Sequence, residues 1–157
     1  MQKERRYKLR QLTLLFTSLV TIAIFSSYSN STKETFSLTV EVNGLRNAKG
    51  DVIFALYNRE DAFPDEHFEK YLEKLIGKIA NGSSFVVFKN LPEGKYAVSI
   101  LHDEDGDGKI KKGIILPKEG IGFSNYQSIG LANIPSFKKA SFIVNKDKCI
   151  IVKIIYL

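Results

Sequence analysis

Asp103, Asp105 and Asp107 recur at alternate positions within His102-Asp103-Glu104-Asp105-Gly106-Asp107-Gly108-Lys109. Calcium is a hard cation that takes about six to eight oxygens, and carboxylates at positions 1, 3 and 5 of a loop can turn inward onto it while a glycine at position 6 allows the bend. Counted from Asp103, Gly108 takes position 6 and the Lys109 carbonyl position 7. The second half departs from that pattern. Lys111 puts a cation at position 9, and Ile114 at position 12 cannot supply the bidentate carboxylate that completes a standard site. Glu119 is the candidate replacement, returned toward the loop through Gly113 and Pro117. The candidate ligands are therefore Asp103, Asp105, Asp107, the Lys109 carbonyl and Glu119, with calcium the cofactor expected. Such a set suits the weak extracellular range of about 0.1–1 mM. Asp and Gly also make ordinary tight turns. In that case Lys109, Lys111 or Lys118 offsets the repulsion between the aspartates. Either way, Pro117-Lys118-Glu119-Gly120 is expected to fold back on the acidic loop.

Other reactive patterns are weaker. His102 beside Asp103 offers a general base and an orienting carboxylate. With Glu119 around a bound cation, the pair would make a cation-dependent envelope hydrolase, the alternative reading. Neighbours on a strand face opposite ways, so a histidine satisfied at the edge of a β-sandwich is the primary expectation. Ser124 lacks a Gly-x-Ser-x-Gly elbow and is expected to bond its own backbone. Phe123 and Tyr126 either form a ligand-touching loop surface or pack beneath a long loop. Gly120-x-Gly122 is not followed by a helical pattern, which removes a dinucleotide fingerprint. His67, His102 and the single Cys149 have no zinc-ligand spacing.

The elements that would position this loop read mostly as strands. Phe36, Leu38, Val40 and Val42 alternate with Ser37, Thr39, Glu41 and Asn43, as in a half-buried strand. Asn47-Ala48-Lys49-Gly50 turns toward a second strand over 51–57, with Val52, Phe54 and Leu56 inward, and the two are expected to form a hairpin. Phe68, Tyr71, Leu72 and Leu75 fall at helical spacing and predict one amphipathic helix over 64–75, with Pro64 at its first position. A strand over 76–80 and the turn Asn81-Gly82 lead to a strand over 84–90. After Leu91-Pro92-Glu93-Gly94-Lys95 comes a strand over 96–101 with Tyr96, Val98 and Ile100 inward. A long connection from Asp103 to about residue 136 precedes strands over 140–144 and 149–157. The fold class is thus all-β: an antiparallel seven-stranded β-sandwich, transthyretin-like or Ig-like in its Greek key, with one short helix.

The N-terminus has the layout of an export signal: basic Lys3, Arg5, Arg6, Lys8 and Arg10, an uncharged run of 14 residues from Leu12 to Phe25, then Ser26-Ser27-Tyr28-Ser29. The run is shorter than the roughly 20 residues of a spanning helix. Cleavage after Ser29 is expected, followed by a polar leader over 30–35 and one domain over 36–157. Residues 1–29 hold five of the 23 basic and one of the 17 acidic side chains, which leaves 18 against 16. A near-neutral mature domain gives no basis for nucleic-acid binding.

The acidic loop, Pro117-Lys118-Glu119-Gly120-Ile121-Gly122-Phe123-Ser124-Asn125 and Leu91-Pro92-x-Gly94-x-Tyr96 together resemble an exported bacterial family, domain of unknown function 2141, over roughly residues 36–157. The chain departs from it at Lys111 and Lys112, where polar or acidic residues are usual, and at Leu116, where a glycine usually stands. The resemblance implies export and a β fold and brings no activity with it. Together these features predict an exported, non-catalytic β-sandwich, calcium-stabilised through residues 103–108, that meets a protein or glycan of the cell envelope.

Overall fold

The computed structural model describes residues 2–6, 33–65, 67–108, 118–130 and 132–157. The chain divides into two compact units, Met1–Lys33 and Glu34–Leu157. In the first, residues 2–6 are helical. The apolar run over 12–25 and the expected cleavage point lie outside the described residues. Among the described residues, no helix is long and apolar enough to cross a membrane.

The second unit is an all-β sandwich, with eight strands in two sheets among the described residues: β1 (Thr35–Asn43), β2 (Asp51–Tyr57), β3 (Glu73–Gly77), β4 (Ser83–Pro92), β5 (Gly94–Asp103), β6 (Gly120–Phe123), β7 (Phe142–Val144) and β8 (Lys148–Lys153). One sheet has the order β4-β1-β8, the other β3-β2-β5-β6, with β7 pairing to the start of β5. The expected strand alternation holds in β1, where Leu38, Val40 and Val42 are fully buried and face the sandwich core with Phe54, Leu56, Phe88, Val98 and Ile100. The corner between β4 and β5 is tied by the Tyr96 hydroxyl, which donates to the Pro92 carbonyl at 2.8 Å. That bond gives the Pro92-x-Gly94-x-Tyr96 spacing a physical purpose.

Several sequence expectations give way here. β1 and β2 do not form a hairpin, because the chain crosses between sheets after Asn43, held by Leu45 N–H donating to the Gly82 carbonyl at 3.0 Å. β8 lies parallel to β1, whereas the other strand pairings are antiparallel. β8 reaches β1 from β7 in the opposite sheet, so no tight turn between the two fixes its direction. β6 and the pairing of β5 with it lie inside the stretch expected to be one long connection.

Among the described residues of 64–75 there is no helix, contrary to expectation. The Asp65 carboxylate accepts backbone N–H groups from His67, Glu69 and Lys70 at 2.6–3.2 Å, an arrangement that competes with helical bonding. Phe68 takes a positive φ of 52°, and from Tyr71 to Ile79 the burial alternates with a period of two, with Leu72 and Ile76 outward. The helical segments of the sandwich are a 3-10 turn, Glu60–Ala62, and a four-residue α1, Phe137–Ala140.

In the five-stranded sheet β2, β6 and most of β5 are buried on both faces. Its second face carries Ile53, Ala55, Tyr57, Ala97 and Leu101 beneath Phe63, Phe68, Tyr126 and Phe137, which arrive from the connections around the 3-10 turn and α1. Phe63 is the hub of this layer, meeting Tyr57, Phe123 and Phe137 edge-on at centroid distances of 5.3–6.3 Å. Double-sided burial explains why Asp51–Tyr57 and the second half of β5 read as near-continuous apolar runs. Replacing Leu101 by Ala should therefore cost about 2–5 kcal/mol, as much as Ile100→Ala on the other face. Urea denaturation of both variants checks this, and a loss at Leu101 under about 1 kcal/mol would fit a sheet covered on one side only.

Candidate metal centre

β5 ends at Asp103, and the turn before β2 presses against that point. Asp51 is the register partner of Asp103. A Cβ on Gly50, which has φ +62°, would lie 1.8 Å from the Asp103 carbonyl oxygen, so only glycine fits there. Beyond Asp103 the chain curls around its own carboxylate. Gly106 N–H donates to Oδ1 and Gly108 N–H to Oδ2, each at 3.0 Å, and Asp107 N–H donates to Asp105 Oδ1 at 3.2 Å. Gly108 has φ +70°, the left-handed bend expected of position 6.

The return limb comes from β6. Gly120 is the register partner of His102, which sets Glu119 beside Asp103 and Glu104. Glu119 Oε1 accepts the Glu104 N–H at 3.0 Å. As a result Asp103, Asp105 and Glu119 each bring a carboxylate oxygen within 4.8 Å of the others. Oxygens bound to one calcium at about 2.3–2.6 Å can stand at most about 5 Å apart, so the spacing fits a shared cation. The donors are all hard oxygens, which suits calcium or magnesium rather than zinc. Asp103 and Glu119 are buried and Asp105 is exposed, so the group opens to solvent on one side.

Of the residues singled out in the sequence, Asp103, Asp105 and Glu119 thus gather. Asp107 is exposed and stays outside that group, and Lys109 lies outside the described residues. The fold-back expected for 117–120 is present for 118–120, and Pro117 is outside the described residues.

A second set of residues, not foreseen, holds the two limbs together. Arg46 Nε donates to Glu104 Oε1 at 2.7 Å while its NH2 donates to the Lys118 carbonyl at 3.0 Å. Asn47 Nδ2 donates to Glu104 Oε2 at 3.1 Å. The guanidinium lies 4.6 Å from the centre of the Tyr156 ring, and the Arg46 backbone N–H donates to the Tyr156 hydroxyl at 3.1 Å. These contacts span 57 to 110 residues of sequence, so no local spacing could announce them. Burial pushes the Glu104 carboxyl up, but hydrogen bonds from Arg46 and Asn47 outweigh it and hold the group below its ordinary value. The Glu104 bond in turn raises Arg46. Burial raises the Tyr156 phenol.

His102 is fully buried and both ring nitrogens are engaged, Nδ1 with the Tyr156 hydroxyl at 2.7 Å and Nε2 with the Lys49 carbonyl at 3.0 Å. A carbonyl only accepts, so Nε2 donates its hydrogen to Lys49. The ring joins the C-terminal segment to the turn before β2 and presents no base to a substrate. Ser124 likewise does not bond its own segment. Its Oγ donates to the Ala140 carbonyl at 2.8 Å and accepts the Val98 N–H at 2.9 Å, which ties β5 to the end of α1. Phe123 and Tyr126 are buried in the second core layer.

Fold and site together define a two-sheet β-sandwich with a carboxylate-lined loop at one end of its central strand. The chain belongs to the family described as uncharacterized proteins conserved in bacteria, DUF2141, whose profile matches residues 40–151. No curated protein matches the sequence. Among solved structures, it is similar to a fimbrial assembly protein from Parabacteroides distasonis at 9% identity and a TM-score of 0.39, a match covering 79% of this chain. The chain spans 54% of that protein's length.

The depressed Glu104 group ties stability to pH. A carboxyl whose folded pKa lies below its unfolded value stabilises the fold above the unfolded value, about 4.3 for Glu, and loses that contribution as pH falls through the folded value. The stability gap between the wild type and Glu104→Gln should therefore be constant above about pH 5 and close as the pH falls below about 4. Chemical denaturation across that range checks it. A gap that stays flat down to about pH 2 would mean that the Arg46 pairing contributes nothing through charge.

Proposed function

We propose that this protein is an exported, non-catalytic β-sandwich module of the cell envelope whose acidic loop takes calcium. The observation that carries the cation reading is the convergence of Asp103, Asp105 and Glu119 within 4.8 Å, two of them buried. Calcium is favoured among hard cations because the three carboxylates come from a strand end, a bend and the residue before a second strand. Such a set tolerates irregular coordination, whereas magnesium demands a near-ideal octahedron. The Lys109 carbonyl and Asp107 are the further ligands this reading would recruit. The basic N-terminus and the uncharged run to Phe25 support export with removal of residues 1–29.

The partner in this reading is a protein or glycan of the envelope. The outer face of the three-stranded sheet supports it, since Phe85 and Ile151 stand 65% and 68% exposed on either side of Glu41 in one cross-strand row. Exposed aromatic and aliphatic area on a flat sheet suits contact with a partner. The hydrolase built on His102, Asp103 and Glu119 gains no support, because the imidazole is sealed from solvent with both nitrogens occupied.

Calcium at about ten times a weak-site Kd should stabilise the fold by about 1.4 kcal/mol, or about 5 °C in Tm for a domain of this size. Thermal melts in chelator and in about 10 mM calcium test this. The shift should vanish in the Asp103→Asn/Asp105→Asn double variant and shrink in Glu119→Gln. An unchanged wild-type melt would remove the calcium claim, and a shift surviving in the double variant would place the ion elsewhere. Export is tested separately. Protein recovered from the extracytoplasmic fraction should begin at Asn30, and an intact Met1 there would contradict cleavage.

A further inference from the structure

The Arg46 guanidinium bonds both limbs of the acidic site at once. Its Nε reaches the carboxylate of Glu104, next to Asp103 and Asp105, and its NH2 reaches the backbone of Lys118, next to Glu119. The planar fork can serve two acceptors in a fixed relation, which a single ammonium cannot reproduce. Arg46 is itself held from the far side by the C-terminal segment. Tyr156 lies under the guanidinium and accepts the Arg46 backbone N–H, its hydroxyl bonds His102, and its ring packs where Gly120 has no side chain, a position at which a Cβ would come within 2.5 Å of that ring. Just before it, Ile155 and Ile121 exchange backbone bonds at 2.8 and 3.0 Å, which fixes the segment to β6. We propose that Arg46 is a positioning residue, oriented by the C-terminal strap around Tyr156, that sets the spacing of the two carboxylate limbs and so the cation affinity of the site.

The affinity part of this inference rests on the calcium reading, whereas the spacing part does not. The chain of contacts also makes the coupling reciprocal: whatever the strap contributes to cation affinity, a bound cation returns as protection of the strap.

The full domain carrying Arg46→Met, Arg46→Lys or Tyr156→Phe tests it, with amide hydrogen exchange in chelator and calcium titration calorimetry as the readouts. Arg46 is partly exposed and Tyr156→Phe removes only a hydroxyl, so each variant keeps the buried core. Without metal, the Glu104 amide that bonds Glu119 should exchange about tenfold faster in Arg46→Met, the scale of one lost charge-assisted bond, with Phe54 and Ile100 unchanged. Arg46→Lys should restore little of that protection, and Tyr156→Phe should show a smaller increase in exchange. Calcium Kd should rise in the same order, and calcium should slow exchange at Ile155 in the wild type. Wild-type exchange at Glu104 in Arg46→Met, or full rescue by lysine, would overturn the proposal. Faster exchange in a protein that binds no calcium even as wild type would uphold the positioning role and reject the cation reading. Unchanged Kd and exchange in a protein that does bind calcium would do the reverse.

Discussion

Bringing Asp103, Asp105 and Glu119 within 4.8 Å of one another concentrates like charge where two of the three groups are buried. Two full charges about 5 Å apart repel by about 3 kcal/mol at an effective dielectric of ~20, so the arrangement calls for a compensating positive charge or donor field. Part of that field is visible. Backbone N–H groups of Gly106 and Gly108 point at Asp103, and the Glu104 N–H points at Glu119. Arg46 pairs with the adjacent Glu104 and also feels the charge of Glu119, while Lys78 pairs with Asp51 across the strand end at 2.8 Å. The cluster is therefore built by strand register and backbone donors, and its three carboxylates are spaced so that one cation could bind them all.

The scaffold explains how such a cluster is held. β5 is buried along most of its length, with one core layer on each side, so Asp103 leaves the sheet from a rigid strand end. β6 brings Glu119 back by pairing with the same strand, and β6 is in turn locked to the C-terminal segment by the Ile121 and Ile155 bonds. Gly50, Gly120 and Gly122 let these elements approach where a Cβ would collide with backbone or ring atoms. Asp103 ends β5 and Glu119 immediately precedes β6, so two of the three carboxylates are placed by paired strands.

Much of this was legible in the sequence. The alternation of Phe36 to Asn43, the turn glycines and the spacing of the aspartates report local geometry, and the fold class and the acidic loop follow from them. The fold-back of Glu119 was also legible, as an electrostatic requirement rather than a pattern. What was not legible depended on distant partners. Phe68, Tyr71, Leu72 and Leu75 have helical spacing, but Asp65 diverts the backbone donors and β2 recruits Glu73–Gly77 as a strand. Ile53, Ala55 and Leu101 looked like outward positions because the second core layer comes from connections with no periodicity of their own. The joint role of Arg46 and Tyr156 carries no local signal, since it lies in contacts across 54 to 110 residues.

The spacing of Asp103, Asp105 and Glu119 predicts that the two limbs converge on one cation. A crystal structure of the domain grown in calcium tests it most directly. Oxygens of Asp103, Asp105 and Glu119 should all lie at about 2.3–2.6 Å from a single ion, with at least one further oxygen from the loop. A lysine ammonium seated among the three carboxylates, with no ion bound at saturating calcium, would contradict the account.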